Sequence, residues 1–191
     1  MPAMTPPWQL DPWNLPADLR KIEQQWTALG EILEDPARYE LRHAATSGWR
    51  CGDQAGHALI AAFGIARGIE RALAEPERDR DGKREDAAVA VLQSGIFSRG
   101  RVQAPERLDP TGRSREELVA MITPTMVAWS SLASRADTLA TSTGRFPHFL
   151  FGYLTSAEWV RFCAIHNAHH LALARDIEVA ASAGHGHTHH I

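Results

Sequence analysis

The chain has 191 residues, a formal net charge of −3, 44% hydrophobic residues and 23% charged residues, the profile of one domain with a real core and no basic field for nucleic acid. No apolar run is long enough to span a bilayer, and "MPAMTPPWQLDPWNLP" lacks the basic and apolar regions of a Sec signal. The two cysteines, Cys51 and Cys163, make no disulfide framework, so the expected compartment is the reducing cytoplasm, with no membrane and no nucleic-acid partner.

Residues 1–16 contain Pro2, Pro6, Pro7, Pro12 and Pro16, which forbid a helix. They read as an extended arm, with Trp8 and Trp13 available to pin it to a body spanning 17–182. The first helix is predicted from near Pro16, a residue suited to a first turn. It carries Leu19, Ile22, Trp26, Leu29 and Leu33 at three-to-four spacing. Asp35-Pro36 ends it.

A second helix is predicted over about Asp53–Ala74. Its stretch "GHALIAAFGIA" has no charged residue apart from a possible imidazolium at His57, so it is expected to be buried on more than one side. Gly64 and Gly68 are small enough to let a neighbouring helix approach. "PERDRDGKRED" reads as a solvated connection, Glu85–Gln93 as a short helix, and Ser94–Arg113 as a loop broken by glycines and prolines.

"SREE" opens a third long helix with a capping box, Ser114 with Glu117. This helix should carry Leu118, Ile122, Val127, Trp129, Leu132 and Leu139, with a kink or a broken turn at Pro124. Thr155 and Glu158 form a second box, opening a fourth helix to about Ala181. Residues 183–191, with the Gly-punctuated stretch "GHGHTHHI", read as a disordered histidine-rich tail. No run of alternating strands is evident. The expectation is an all-α fold, a bundle of four long helices.

The fourth helix contains "RFCAIHNAHHLALARDI". At about 100° per residue, Trp159, Cys163, His166, His170, Leu173 and Ile177 fall on one stripe. That stripe is apolar apart from His166 and His170, which therefore point at the core. His169 falls on a flank. It remains an alternative ligand to His170, since spacing i, i+3 also suits a metal, but the stripe favours His170. Each buried imidazole has a donor and an acceptor to satisfy, and an unpaired buried polar group costs about 1–3 kcal/mol. A divalent ion resolves the problem, because histidines one turn apart can direct two nitrogens at it. His57 is the natural third ligand, on a face with Ile60, Ala61, Gly64 and Gly68. The bland alternative is that these are hydrogen-bonded core histidines.

"WRCGDQAGHALIAAF" and "FPHFLFGYLTSAEWVRFCAIHNAHHLALARDI" resemble two blocks of the DinB-like superfamily. One is a tryptophan before the helix that supplies the first metal histidine. The other is a C-terminal helix bearing H-x-x-H-H. Here the stretch before that helix is permuted, to Phe146, Pro147, His148, Phe149, Gly152, Leu154 and Thr155. The resemblance covers Trp49 to Ile65 and Phe146 to Ile177, and Glu75–Arg113 carries no familiar motif. It implies a four-helix bundle with a long crossover connection and a metal held by His57, His166 and His170. The metal would be nickel, zinc or manganese. It further implies hydrolysis or transfer to a low-molecular-weight thiol, a small-molecule substrate, and a possible homodimer.

No catalytic residue is assigned by sequence. Cys163 reads first as a buried structural thiol and second as a pocket-lining group. His148 reads first as a surface or capping residue and second as a group at the cleft mouth. Trp49, Trp129 and Trp159 read as core rather than as substrate platforms. The tail reads as a harmless low-complexity end before a metal-loading device. Two other classes of function stand beside the enzyme: a non-catalytic metal- or ligand-binding bundle, and a dimerising interaction protein whose histidines only satisfy one another.

Overall fold

A computed structural model describes residues 5–97 and 105–185. Residues 1–4 of the arm, 98–104 of the expected loop and 186–191 of the expected disordered tail lie outside the described residues. The fold is mostly helical, with one small two-stranded sheet.

Helix α1 (Leu15–Glu34) starts where Asn14 Oδ1 accepts from Ala17 N–H at 3.0 Å. Its stripe of Leu19, Ile22, Trp26, Leu29 and Leu33 is buried as its spacing predicts. A short helix α2 (Pro36–Glu40) follows, capped by the Asp35 carboxylate. Helix α3 (Cys51–Ala74) is buried at every residue from Cys51 to Ala62, the environment its lack of charge calls for. Asp53 in its first turn accepts from Arg50 N–H at 3.0 Å and favours the positive end of the helix dipole. Helix α4 (Asp86–Ser94) ends on Gly95, whose φ of 69° supplies the left-handed cap.

The predicted third helix is divided into three: α5 (Arg115–Ala120), α6 (Ile122–Ala133) and α7 (Ala136–Thr141). Of the kink or broken turn expected at Pro124, the structure has the broken turn, at Met121 between α5 and α6. Proline has no N–H to give the Ala120 carbonyl and its ring crowds that carbonyl, so α5 stops and Pro124 sits in the first turn of α6. The Ser114–Glu117 box is present at the start of α5. Helix α8 (Ser156–His185) runs past Ala181, so His185 belongs to the helix rather than to the tail.

The absence of strands expected from the sequence is corrected by a hairpin, β1 (Arg145–His148) with β2 (Gly152–Thr155). Pro147 and the four-residue length of each strand hide it from pattern reading. His148 pairs with Gly152 across a three-residue loop. Gly152 has φ 66° and a Cβ there would meet the Lys83 carbonyl, so glycine is required. Tyr153 N–H donates to Lys83 O at 2.9 Å and Glu85 N–H to Phe151 O at 3.0 Å, tying the charged connection to the hairpin.

Helices α6 and α8 each pack against both α1 and α3, and one core runs between them. The arm lies against α1 and α8 and is held largely through its backbone, with the Thr5 hydroxyl also accepting from Lys21 Nζ at 2.8 Å. Lys21 Nζ donates to the carbonyls of Thr5 and Pro6, Gln25 Nε2 to that of Pro7, and Arg161 Nη1 to that of Asp11. Trp8 packs on the core beneath the Arg175 guanidinium, whereas Trp13 is exposed and pins nothing. Gly68 admits the Phe146 ring of β1, not a neighbouring helix, and a Cβ at Gly64 would meet nothing within 4 Å.

Candidate metal centre

Periodicity puts His57 on the inner face of α3 and His166 and His170 one turn apart on α8, and these two helices pack side by side. One ligand nitrogen from each of the three rings lies within 4.8 Å of the other two. His57 Nε2 and His166 Nε2 are 3.1 Å apart. Two nitrogens bound at about 2.05 Å to one tetrahedral ion would stand about 3.3 Å apart. His57 and His170 are buried, and His166 is partly exposed.

The outer nitrogens test the fit. His57 Nδ1 is 2.9 Å from the Leu108 carbonyl, which only accepts, so that nitrogen carries the proton and Nε2 keeps its lone pair. His170 Nδ1 donates to Gln54 Oε1 at 2.7 Å, with the same result for its Nε2. This is the outer support that orients metal-binding imidazoles. His166 Nδ1 is buried with no hydrogen-bond partner among the described residues. Burial holds all three rings below the ordinary histidine range. For His166 the neighbouring rings of His57, His169 and His148 add to the effect, and for His170 those of His166, His57 and His169. Neutral rings are the form that offers lone pairs to a metal. The donor set and its support therefore fit a divalent ion.

The cluster forms part of the wall of a cavity of about 420 Å³. One stripe of α3 lines it, His57, Ala61, Gly64, Gly68 and Arg71, and so does the facing side of α8, Trp159, Phe162, His166, His169 and His170. On α8 the residue facing the cavity near His166 is Phe162 rather than Cys163. The Cys163 thiol is fully buried, receives Asn167 Nδ2–H at 3.7 Å, and is pushed well above the usual thiol range by burial. Cys51 likewise lies buried, donates to the Ala174 carbonyl at 3.3 Å, and is pushed up to about 12 by burial. Both are structural thiols, as their first reading has it.

His169, expected on a flank, is half-buried and lines the same cavity, edge-on to Phe97 with centroids 5.7 Å apart. It is not one of the three convergent rings. His148 is no surface residue: it lines the cavity from β1, stacked on Phe151 at 4.7 Å. Burial pushes its pKa down to about 4. Its Nδ1 accepts the Leu150 N–H at 3.1 Å, so the proton of the neutral ring sits on Nε2. Trp129 is core, with its indole N–H on the Ala62 carbonyl. Trp159 is core as well, and its ring also lines the cavity, stacked on Phe146 at 4.3 Å; Trp49 lines the cavity 5.0 Å from the His57 ring.

Sequence reasoning missed Gln54, Leu108, Phe97 and the arginines Arg67, Arg71 and Arg107 of the cavity wall. Arg71 was within reach, since it extends the three-four stripe of His57, Ala61, Gly64 and Gly68. Gln54 is one turn before His57 and carried a similar signal. Leu108 acts through its backbone carbonyl, which no residue pattern reveals. No helix among the described residues is long and apolar enough to cross a membrane. No family model, curated protein or solved structure matches the chain.

Proposed function

We propose that the protein is a metal-dependent enzyme of the DinB-like type, a hydrolase or thiol transferase built on a four-helix bundle with a long crossover. The observation that carries this reading is the convergence of three imidazoles, two of them held by outer hydrogen bonds, within 4.8 Å on the wall of a cavity large enough for a small molecule. His57, His166 and His170 would hold the ion. Three neutral ligands leave its charge undiminished and leave coordination positions for substrate. When bound, the ion supplies Lewis acidity toward a substrate oxygen or a thiol sulfur.

The chain's own residues do the rest. Leu108 and Gln54 fix the tautomers of His57 and His170. Trp49, Phe97, Phe146, Trp159 and Phe162 make an apolar wall that excludes water from the reacting end. His148 Nε2–H can donate a hydrogen bond to substrate while its Nδ1 is occupied by Leu150.

One observation favours a second, metal-free reading. At 3.1 Å, His166 Nε2–H can donate directly to His57 Nε2, and the histidines then satisfy one another in a non-catalytic ligand-binding or interaction protein. Elemental analysis separates the two. The chain is cut after Gly184 to remove His185, His187, His189 and His190, then compared with the same chain carrying His57→Ala or His170→Ala. About one metal per chain, lost in both variants, is expected. No metal after exposure to nickel, zinc and manganese leaves the metal-free reading standing.

A further inference from the structure

The cavity is not chemically uniform. Its α3 wall runs from His57 to Arg71, roughly 21 Å at 1.5 Å per residue. Histidines occupy one end, with Arg107 beside Leu108, and the arginine pair Arg67 and Arg71 occupies the other. Between them lie the rings of Phe146 and Trp159, with Phe149 and Leu150 of the hairpin loop at 55% and 44% exposure. Among the described residues no aspartate or glutamate lines the cavity, although acidic residues outnumber lysine and arginine by 23 to 20 over the chain.

Nearby carboxylates are already engaged: Asp109, beside the lining residue Leu108, accepts from the Thr111 N–H and hydroxyl. Glu70 pairs with Arg135, and Glu158 with Arg84. Arg67 and Arg71 are exposed and have no carboxylate or hydrogen-bond partner for their side chains among the described residues. Arg71 lies in the last turn of α3, where a cation complements the helix dipole. That accounts for one arginine of the two, and not for the missing acids.

We propose that the cavity takes an elongated anion with an apolar body. Its carboxylate or phosphate sits on Arg67 and Arg71, its body lies along Phe146, Trp159 and the hairpin loop, and its far end reaches the histidines. Guanidinium groups suit both anions, as each offers paired oxygens to a planar fork of N–H donors. The apolar wall supplies affinity by burial, and the arginines fix which end enters first. The inference rests on reading this cavity as the substrate site, and it does not require the metal.

The test is binding of four probes sharing a ten-carbon chain: decanoate, decyl phosphate, decanol and decyltrimethylammonium. Calorimetry or quenching of tryptophan fluorescence, to which Trp49 and Trp159 contribute, reads the affinity. The full chain is used twice, stripped with chelator and loaded with zinc. Decanoate, decyl phosphate or both are expected to bind at least tenfold more tightly than decanol, with decyltrimethylammonium weakest. The Arg67→Gln/Arg71→Gln double variant should lose that tenfold and keep its decanol affinity within twofold. Because both side chains are exposed and unpaired, its melting temperature should match wild type. Equal binding of decanol and both anions, or an anion preference that survives in the double variant, overturns the proposal. Anion binding by a chain that takes up no metal would instead leave this inference intact and remove the enzyme reading.

Discussion

Gln54 holds the His170 ring by its Nδ1 at 2.7 Å while its own amide N–H donates to Ser47 Oγ at 2.8 Å. The glutamine is buried one turn before His57 on α3, so one helix supplies both a ligand and the support for another ligand. Removing such an outer partner commonly costs 10–100-fold in metal affinity. Gln54→Leu should therefore weaken zinc binding by about one to two orders of magnitude with the three histidines intact. Competition against a chromophoric chelator reads this directly, and unchanged affinity would show that the Gln54 contact has no part in holding an ion.

Gly64 tests the cavity itself. It lines the space, and a Cβ there meets nothing within 4 Å. Gly64→Ala should stabilise α3 by about 0.8–1 kcal/mol through helix propensity and leave ligand affinity nearly unchanged. Gly64→Leu should gain similar helix propensity yet obstruct the cavity, lowering decanoate affinity at least tenfold. Urea unfolding and calorimetry on the pair decide the matter; equal ligand affinity in both variants would place the ligand elsewhere.

Acid should destabilise the fold from about pH 6.5 downward. His57, His148, His166 and His170 are all held below the ordinary histidine pKa, first of all by burial. Above pH 6.5 folded and unfolded chains are both neutral at these rings, and their contribution is complete. Below it the unfolded chain binds protons that the folded rings refuse, so stability falls; for His148 the loss runs down to about pH 4. Asp18 acts with the opposite sign. Burial, only partly offset by Arg161, raises its folded pKa from 3.8 to about 6, so acidification through that window relieves a cost. Four rings outweigh one carboxyl. Urea midpoints on metal-free protein between pH 8 and pH 5 should fall with acid, and less steeply in His148→Gln. A midpoint that rises on acidification contradicts this balance.

Arg161 Nη1 meets Asp18 Oδ1 at 2.7 Å with both side chains almost wholly buried, and its Nε donates to the Leu92 carbonyl. Removing one partner of such a pair typically costs about 3–5 kcal/mol, because the other charge stays buried alone. Arg161→Met should therefore lose that amount at pH 7.5, with part of the loss recovered at pH 5 as Asp18 takes up a proton. The double variant Arg161→Met/Asp18→Leu should recover stability at both pH values. Denaturant titration of the two variants measures it, and a single-variant loss below 1 kcal/mol would show the pair to be well hydrated.

The helices and the histidines were legible because each is written in a local repeat. The three-four spacing of α1 and α8, the uncharged run of α3, and the boxes at Ser114 and Thr155 all report short-range physics. The same spacing puts His57 on the face opposite His166 and His170. What stayed hidden depends on contacts distant in sequence. The hairpin is stabilised by Lys83 and Gly152, far from it and within it, and Pro147 masks its strand character. In the sequence Pro124 announces an interruption of the helix, but leaves open whether it is a kink or the broken turn at Met121. Phe162 and Cys163 are neighbours on α8, and a 100° step cannot tell which of them faces a cavity and which faces α1 or α3. Arg67 and Arg71 gain meaning only from the absence of acids in the cavity wall among the described residues, and that is a property of the folded surface.

The arm is gripped mainly by its peptide carbonyls, through Lys21, Gln25 and Arg161, with the Thr5 hydroxyl and the Trp8 ring adding side-chain anchors. Every residue type presents the same carbonyl, so the side chains of Pro6, Pro7 and Asp11 can drift over evolution without loosening those hydrogen bonds. The burden of keeping the clasp closed falls chiefly on three positions in α1 and α8. In related chains that retain the clasp, those three should persist, with Thr5 and Trp8, while the arm residues between them change freely.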